Sequence, residues 1–231
     1  MTGHRSIEFI VFLAFNALRL TISEENGTKI LFVRYNELGI LDLHTSSLFS
    51  IGIASTYDQF VAYHDRYEFI YWTDYDNGKI YRMKYQLNEF TELQVIFEAR
   101  EGHRPFKIVV DSMNDLLYWT DYYSYTIMRS ELDGSNQTVI LNGGIYTPSL
   151  AIDPVNRWLY FVEYNNLGYY KIVRSNEDGS SKQDIISSTY YVYGITLDLE
   201  ENRLYWTTYY EIKSSFINGS DEKTIYSSSN T

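Results

Sequence analysis

The 231-residue chain contains no cysteine, so neither disulfide staples nor a zinc–thiolate centre enters its design. It has only three prolines. Basic residues are in deficit, 19 Lys and Arg against 30 Asp and Glu, giving a formal net charge of −11 at pH 7. No Lys/Arg run occurs, which disfavours a nucleic-acid partner, because phosphate binding needs one. The negative charge serves either plain solubility or an acidic face for a basic partner. No apolar run reaches the ~20 residues of a membrane-spanning helix. A nucleophile elbow, a phosphate loop and a dinucleotide fingerprint are all missing. The four histidines, His4, His44, His64 and His103, show no ligand spacing. Catalysis is not expected, and no cofactor or metal is implied.

Aromatic residues are abundant instead: 24 Tyr, 12 Phe and 4 Trp make up 17% of the chain, a composition suited to pleated, half-buried surfaces. They recur in a pattern. Tyr71-Trp72-Thr73-Asp74 returns at Tyr118-Trp119-Thr120-Asp121, then in altered form at Tyr160-Phe161-Val162-Glu163 and Tyr205-Trp206-Thr207-Thr208. A fainter copy is Leu31-Phe32-Val33-Arg34, and successive copies start 40, 47, 42 and 45 residues apart. A period of that size marks one supersecondary unit repeated, too small to bury its apolar face alone.

Within a unit, Asp111, Asp153 and Asp198 stand seven residues before the tetrapeptide, each ending an apolar run such as Leu150-Ala151-Ile152. Those runs predict a short, fully buried first strand, closed by a turn whose Asp accepts hydrogen bonds from the next backbone N–H groups. The tetrapeptide is the second strand. Ile127-Met128-Arg129 and Lys171-Ile172-Val173-Arg174 predict a third. Turns at Asp133-Gly134, Asp178-Gly179 and Asn218-Gly219 supply the positive φ of tight hairpins, and a fourth strand follows. Four antiparallel strands per unit is the recipe for a propeller blade. Large aromatics on alternate sides of the second strand would fill the wedges between sheets.

Residues 1–23 read as a signal peptide, with His4 and Arg5 before the apolar run Phe9–Phe15 and small Thr21 and Ser23 before Glu24. Sequons at Asn26, Asn136 and Asn218 are candidate glycosylation sites and agree with a secretory route.

These residues resemble the YWTD (class B) β-propeller of the low-density-lipoprotein-receptor family, over residues 27–229. The tetrapeptide, Asp153-Pro154 with Leu159-Tyr160, and Asp133-Gly134-Ser135 all carry the likeness. It implies an all-β chain of five four-stranded blades out of an expected six, an incomplete ring. The first unit is expected to lack its inner strand, which the family takes from the far end of the propeller. A truncated product is then favoured over a natural five-bladed form. Placed after a leader, the first unit resembles the opening propeller of the Wnt co-receptor type of receptor-related proteins. Departures are Glu163, Thr208 and Arg34 at the tetrapeptide Asp, and His64 at the inner-strand Asp. Tyr193 also stands where the Wnt co-receptors carry a partner-gripping asparagine, and Tyr35 where they carry a basic residue.

Strand direction places the loop after the tetrapeptide and the loop leading into strand one on a shared rim. The first set carries Tyr35, Tyr75, Tyr122, Tyr123, Tyr164, Tyr209 and Tyr210. The second carries Tyr57, Tyr146, Tyr191 and Tyr193, with Arg104-Pro105-Phe106. Tyrosine gives rigid, amphipathic contact area at low entropic cost. The rim either grips a secreted or matrix protein or simply seals blade tops against each other. Nearby Asp58, Asp74, Asp76, Asp121 and Glu163 would favour a basic ligand segment. The expected function is extracellular protein binding of the Wnt co-receptor or endocytic-receptor kind. The alternatives are a nidogen-like matrix module and a metal-dependent propeller hydrolase. For the last, Asp111, Asp153 and Asp198 suggest a metal cluster, but one per blade at one position fits turn-capping better.

Overall fold

The computed structural model describes residues 18–24, 27–34, 37–52, 60–86, 89–142, 146–164, 168–188 and 190–228. All regular elements there are strands, arranged as five four-stranded antiparallel blades. Blade 1 is β1 (Leu18–Glu24), β2 (Gly27–Arg34), β3 (Glu37–Asp42) and β4 (Leu48–Gly52). Blade 2 is β5 (Val61–His64), β6 (Phe69–Asp74), β7 (Lys79–Gln86) and β8 (Glu89–Glu98). Blade 3 is β9 (Pro105–Asp111), β10 (Leu116–Asp121), β11 (Thr126–Glu131) and β12 (Thr138–Asn142). Blade 4 is β13 (Leu150–Asp153), β14 (Trp158–Tyr164), β15 (Tyr170–Asn176) and β16 (Gln183–Ser188). Blade 5 is β17 (Gly194–Asp198), β18 (Arg203–Thr207), β19 (Glu211–Phe216) and β20 (Lys223–Ser227). Strands neighbour one another in chain order in every blade. The chain divides into two compact units, Met1–Arg100 with Arg104–Ile108, and Glu101–His103 with Val109–Thr231.

Each tetrapeptide lies on the second strand of its blade, and its first two rings serve opposite faces. In the first unit Trp72 packs with Leu31, Leu38 and Ile40 of the preceding blade. In the second unit Tyr118 packs forward onto Leu150, Leu159 and Phe161 of blade 4. Tyr160 likewise meets Ile195, Leu204 and Trp206 of blade 5. Within each unit, a ring at the first position thus reaches the following blade and a ring at the second position reaches back. Tyr71, Tyr118, Trp119 and Tyr160 are wholly buried and Trp206 nearly so. Tyr205, on the last blade in chain order, is half-buried.

Three expectations need correcting. Blade 1 has its inner strand: β1 pairs with β2 in a continuous register from Leu18↔Val33 to Glu24↔Gly27. The alternation of Leu18, Leu20 and Ile22 with Arg19, Thr21 and Ser23 is a strand pattern, and the leader reading took in this segment. Residues 1–17 and Asn26 lie outside the described residues. Second, the inner strands are not fully buried, since Val109, Val110, Ile152 and Thr196 are half-exposed. They form the sheet edge, where no fifth strand covers one side.

Third, the Gly-containing turns are not two-residue hairpins. Six residues separate the third and fourth strands in blades 3, 4 and 5. Positive φ falls on the glycine and again two residues later: Gly134 85° and Asn136 54°, Gly179 81° and Ser181 56°, Gly219 87° and Asp221 55°. Asp133, Asp178 and Asn218 each accept from the backbone N–H two residues on, at 2.9–3.0 Å. A second demand acts on the glycines. A Cβ on Gly179 would stand 2.4 Å from the Ile140 carbonyl oxygen, and one on Gly219 2.3 Å from that of Ile185. The Gly179 and Gly219 turns are each tucked against the outer strand of the preceding blade.

Candidate functional site

The acceptor that ends each inner strand shapes one end of the blades. Asp111 Oδ1 accepts from the N–H groups of Met113 and Asn114 at 3.0 and 2.9 Å, while Oδ2 accepts from Asn114 Nδ2 at 2.8 Å. Asp153 repeats this with Val155 and Asn156. Asp198 does so with Glu200 and Glu201. In blade 2 the place is taken by His64, whose Nδ1 accepts from Tyr67 N–H at 3.3 Å. These groups are one per blade, and among the described residues no set of three or more His, Asp or Glu is gathered to hold a metal ion.

The tetrapeptide acid does the same work at the opposite end, where the tyrosines are. Asp74 Oδ1 accepts from Asn77 N–H at 3.0 Å. Asp121 Oδ1 accepts from Tyr123 and Ser124 at 3.1 and 2.8 Å, fixing the loop that carries two rim tyrosines. Thr208 keeps the role after substitution, its Oγ1 accepting from Glu211 N–H at 3.1 Å. Glu163 instead pairs with Lys182. Asp74 and Asp121 are buried. The acidic rim expected from Asp74, Asp121 and Glu163 is therefore spent on internal bonds. Asp58 lies outside the described residues.

In the second unit the tyrosines form a run of ring contacts across blades 3, 4 and 5. Tyr122 meets Tyr123 and Tyr146 edge-on, with centroids 5.5 and 5.3 Å apart. The Tyr146 and Tyr191 hydroxyls are 3.3 Å apart. Tyr191 continues to Tyr170 at 4.9 Å and Tyr193 at 4.5 Å, and Tyr170 stacks on Tyr164 at 4.7 Å. Burial first, and then the neighbouring hydroxyls of Tyr191, Tyr164 and Tyr193, raise the Tyr170 phenol above its ordinary range. A second group joins Tyr190, Tyr210 and Tyr209.

Two layers result. Tyr122, Tyr146, Tyr170 and Tyr191 are half-buried and meet across adjacent blades, with half-buried Tyr164 stacked on Tyr170. Tyr123, Tyr193 and Tyr209 stand out into solvent, 54%, 45% and 57% exposed. The half-buried rings and the projecting rings are thus different residues. In the first unit Tyr75 packs edge-on against Phe106 at 6.2 Å, and Phe106 against Phe60 at 4.7 Å. Lys107 Nζ lies 4.8 Å from the Phe60 ring, and burial pulls its amine down to about 8. Tyr35 and Tyr57 lie outside the described residues.

Sequence reasoning misplaced one rim residue and missed two. Tyr164 is the last residue of β14, because its pairing with Tyr170 extends the ladder by one step. Tyr170 itself escaped notice, although it starts the strand opposite Tyr164. Tyr190, 53% exposed beside Tyr191, was signalled only by the tyrosine doublet. The sequon residues Asn136 and Asn218 are exposed on the Gly-containing turns.

With this geometry the chain was compared with known proteins. No protein-family model matches it. Protein cueball of Drosophila yakuba is 32% identical over 97 residues, 41% of this chain, and the cueball of Drosophila sechellia matches equally. The matched stretch spans about 15% of those relatives' own length. Among solved structures, a chain of a nidogen–laminin complex superimposes with a TM-score of 0.74 at 20% identity, covering 87% of this chain and 78% of its own. A chain described as a TolB of Agrobacterium tumefaciens gives 0.69 at 14% identity, covering 86% and 76%. One described as a 6-phosphogluconolactonase of Bacteroides uniformis gives 0.61 at 9%, covering 90% and 77%. The fold is a YWTD-type β-propeller, all-β with five four-stranded blades. Fold does not fix function, as these three neighbours themselves illustrate.

Proposed function

We propose that this chain is a protein-recognition propeller that works outside the cell and carries out no chemical transformation. The observation that carries the reading is the two-layered tyrosine run. Half-buried rings lock the blade tops, and Tyr123, Tyr193 and Tyr209 project from that rigid base. Rigid, exposed, amphipathic rings on fixed loops lose little entropy on binding, which is what a protein-binding surface requires. The nidogen–laminin likeness favours a matrix protein as partner. The sequence resemblance to receptor-related propellers favours a secreted ligand of the Wnt-pathway or endocytic kind. Tyr193 and Tyr35, in place of that family's asparagine and basic residue, weigh toward the matrix reading.

The immobilised chain is to be probed with laminin-type matrix proteins and with secreted Wnt-pathway ligands. Tyr123→Ala and Tyr193→Ala are expected to weaken capture at least tenfold while changing stability by less than about 1 kcal/mol. Capture unaffected by both changes would refute the rim as the binding surface. A large drop in melting temperature would mean that the exposed rings serve only to seal. Lactone turnover by the wild-type chain would overturn the non-enzymatic reading.

A further inference from the structure

A cavity of about 150 Å³ opens between blades 4 and 5, beside Tyr190. Its lining includes Trp206, Ser187, Thr208, Glu211, Lys213 and Glu222. The repeat shows what sets its chemistry apart. The residue paired across strands with the second tetrapeptide ring is Tyr81 in blade 2, Met128 in blade 3 and Val173 in blade 4. In blade 5 it is Lys213, opposite Trp206. Three blades thus place an apolar or aromatic side chain where the fifth places an ammonium group.

Lys213 Nζ lies 2.6 Å from Glu222 and 3.9 Å from Glu211. Two carboxylates face one resident cation, so the pocket carries one uncompensated negative charge. The volume far exceeds what one water needs, and the lining offers hydroxyls and an indole besides the carboxylates. Tyr190 joins the cavity to half-buried Tyr210 and, through it, to exposed Tyr209.

We propose that this inter-blade pocket receives a basic side chain, an arginine, from the protein held by the tyrosine rim. The proposal rests on the rim reading and adds the chemistry of the partner. A guanidinium is planar, always charged and able to engage a carboxylate through two N–H donors while lying against aromatic rings. It would take Glu211, the carboxylate farther from Lys213, as its acceptor and share Glu222 with Lys213. A neutral side chain of the same shape has no charge to set against the excess negative charge of the two carboxylates.

The probe is an N-acetylated, C-amidated Gly-Arg-Gly tripeptide, with citrulline in place of arginine as the uncharged control. Binding is read on the full chain from the indole N–H resonance of Trp206, identified by its loss in Trp206→Phe. The arginine peptide should give a saturable shift and the citrulline peptide none. Glu211→Gln should weaken arginine binding about fivefold, and Lys213→Met, which removes the resident cation at nearly constant volume, should strengthen it about fivefold. The opposite signs separate charge recognition from loss of packing. Equal shifts with citrulline, or unchanged arginine affinity in either variant, would overturn the pocket. If partner capture falls with Tyr193→Ala while the arginine peptide fails, the rim stands and the pocket does not. If the arginine peptide binds while the tyrosine variants capture normally, the rim assignment fails alone.

Discussion

Lys107 shows how far a single side chain departs from its ordinary chemistry in this fold. Burial alone brings its amine from 10.5 to about 8. Below about pH 8 the amine is charged both folded and unfolded, and the cost of burying that charge is fully present. Between about 8 and 10.5 the folded chain sheds the proton first, so stability rises with pH. Lys107→Met should therefore stabilise the protein at pH 7 by roughly 3 kcal/mol, with the advantage closing as the pH passes 10.5. Paired denaturant titrations of the two proteins across that range check it; an advantage constant with pH would mean that the amine is not penalised. The same scale accounts for what the sequence concealed. Lys213 reads as an ordinary surface lysine until cross-strand pairing puts it opposite Trp206. Tetrapeptide aspartates read as consensus until their loops are seen hanging from them.

Elements were legible where two signals agreed. The second strands were marked by both the tetrapeptide and alternation, and the inner-strand turns by an Asp at constant distance from it. β1 was missed because the alternating segment Leu18–Glu24 lay at the end of the stretch read as a leader. The Gly-containing turns were placed correctly and shaped wrongly, since Asp-Gly reports a positive φ without reporting loop length. Their glycines answer to φ and to a neighbouring carbonyl together, so Gly179→Ala should cost about 2–3 kcal/mol. Gly52, outside the left-handed region and with no atom within 4 Å of where a Cβ would stand, is the control. Its alanine variant should stay within about 0.5 kcal/mol. Thermal melts compare the two, and equal losses would show that the tuck against Ile140 is immaterial.

For the whole molecule, the repeat made the fold readable and left the site half-written. Spacing singled out tyrosines that lie at one end of the blades in the second unit, but not which of them are half-buried and which project. That division depends on packing between rings from different blades, such as Tyr146 on Tyr191. Net charge acts at this scale too. With −11 at pH 7, the chain should draw a basic partner over several ångströms before contact. Association rates for the captured partner should fall about tenfold as salt is raised from low to high ionic strength, with dissociation little changed. Rates flat in a salt series would assign the charge to solubility alone.

The tuck of Gly179 under Ile140, and of Gly219 under Ile185, runs in one direction along the polypeptide. A blade leaving the ribosome meets a predecessor whose outermost strand already offers the seat it needs, whereas the reverse order would leave that turn without a surface to close on. For these two turns vectorial synthesis and blade stacking are thus matched, and a rearranged gene that starts the protein at blade 4 or blade 5 would deny one of them its seat.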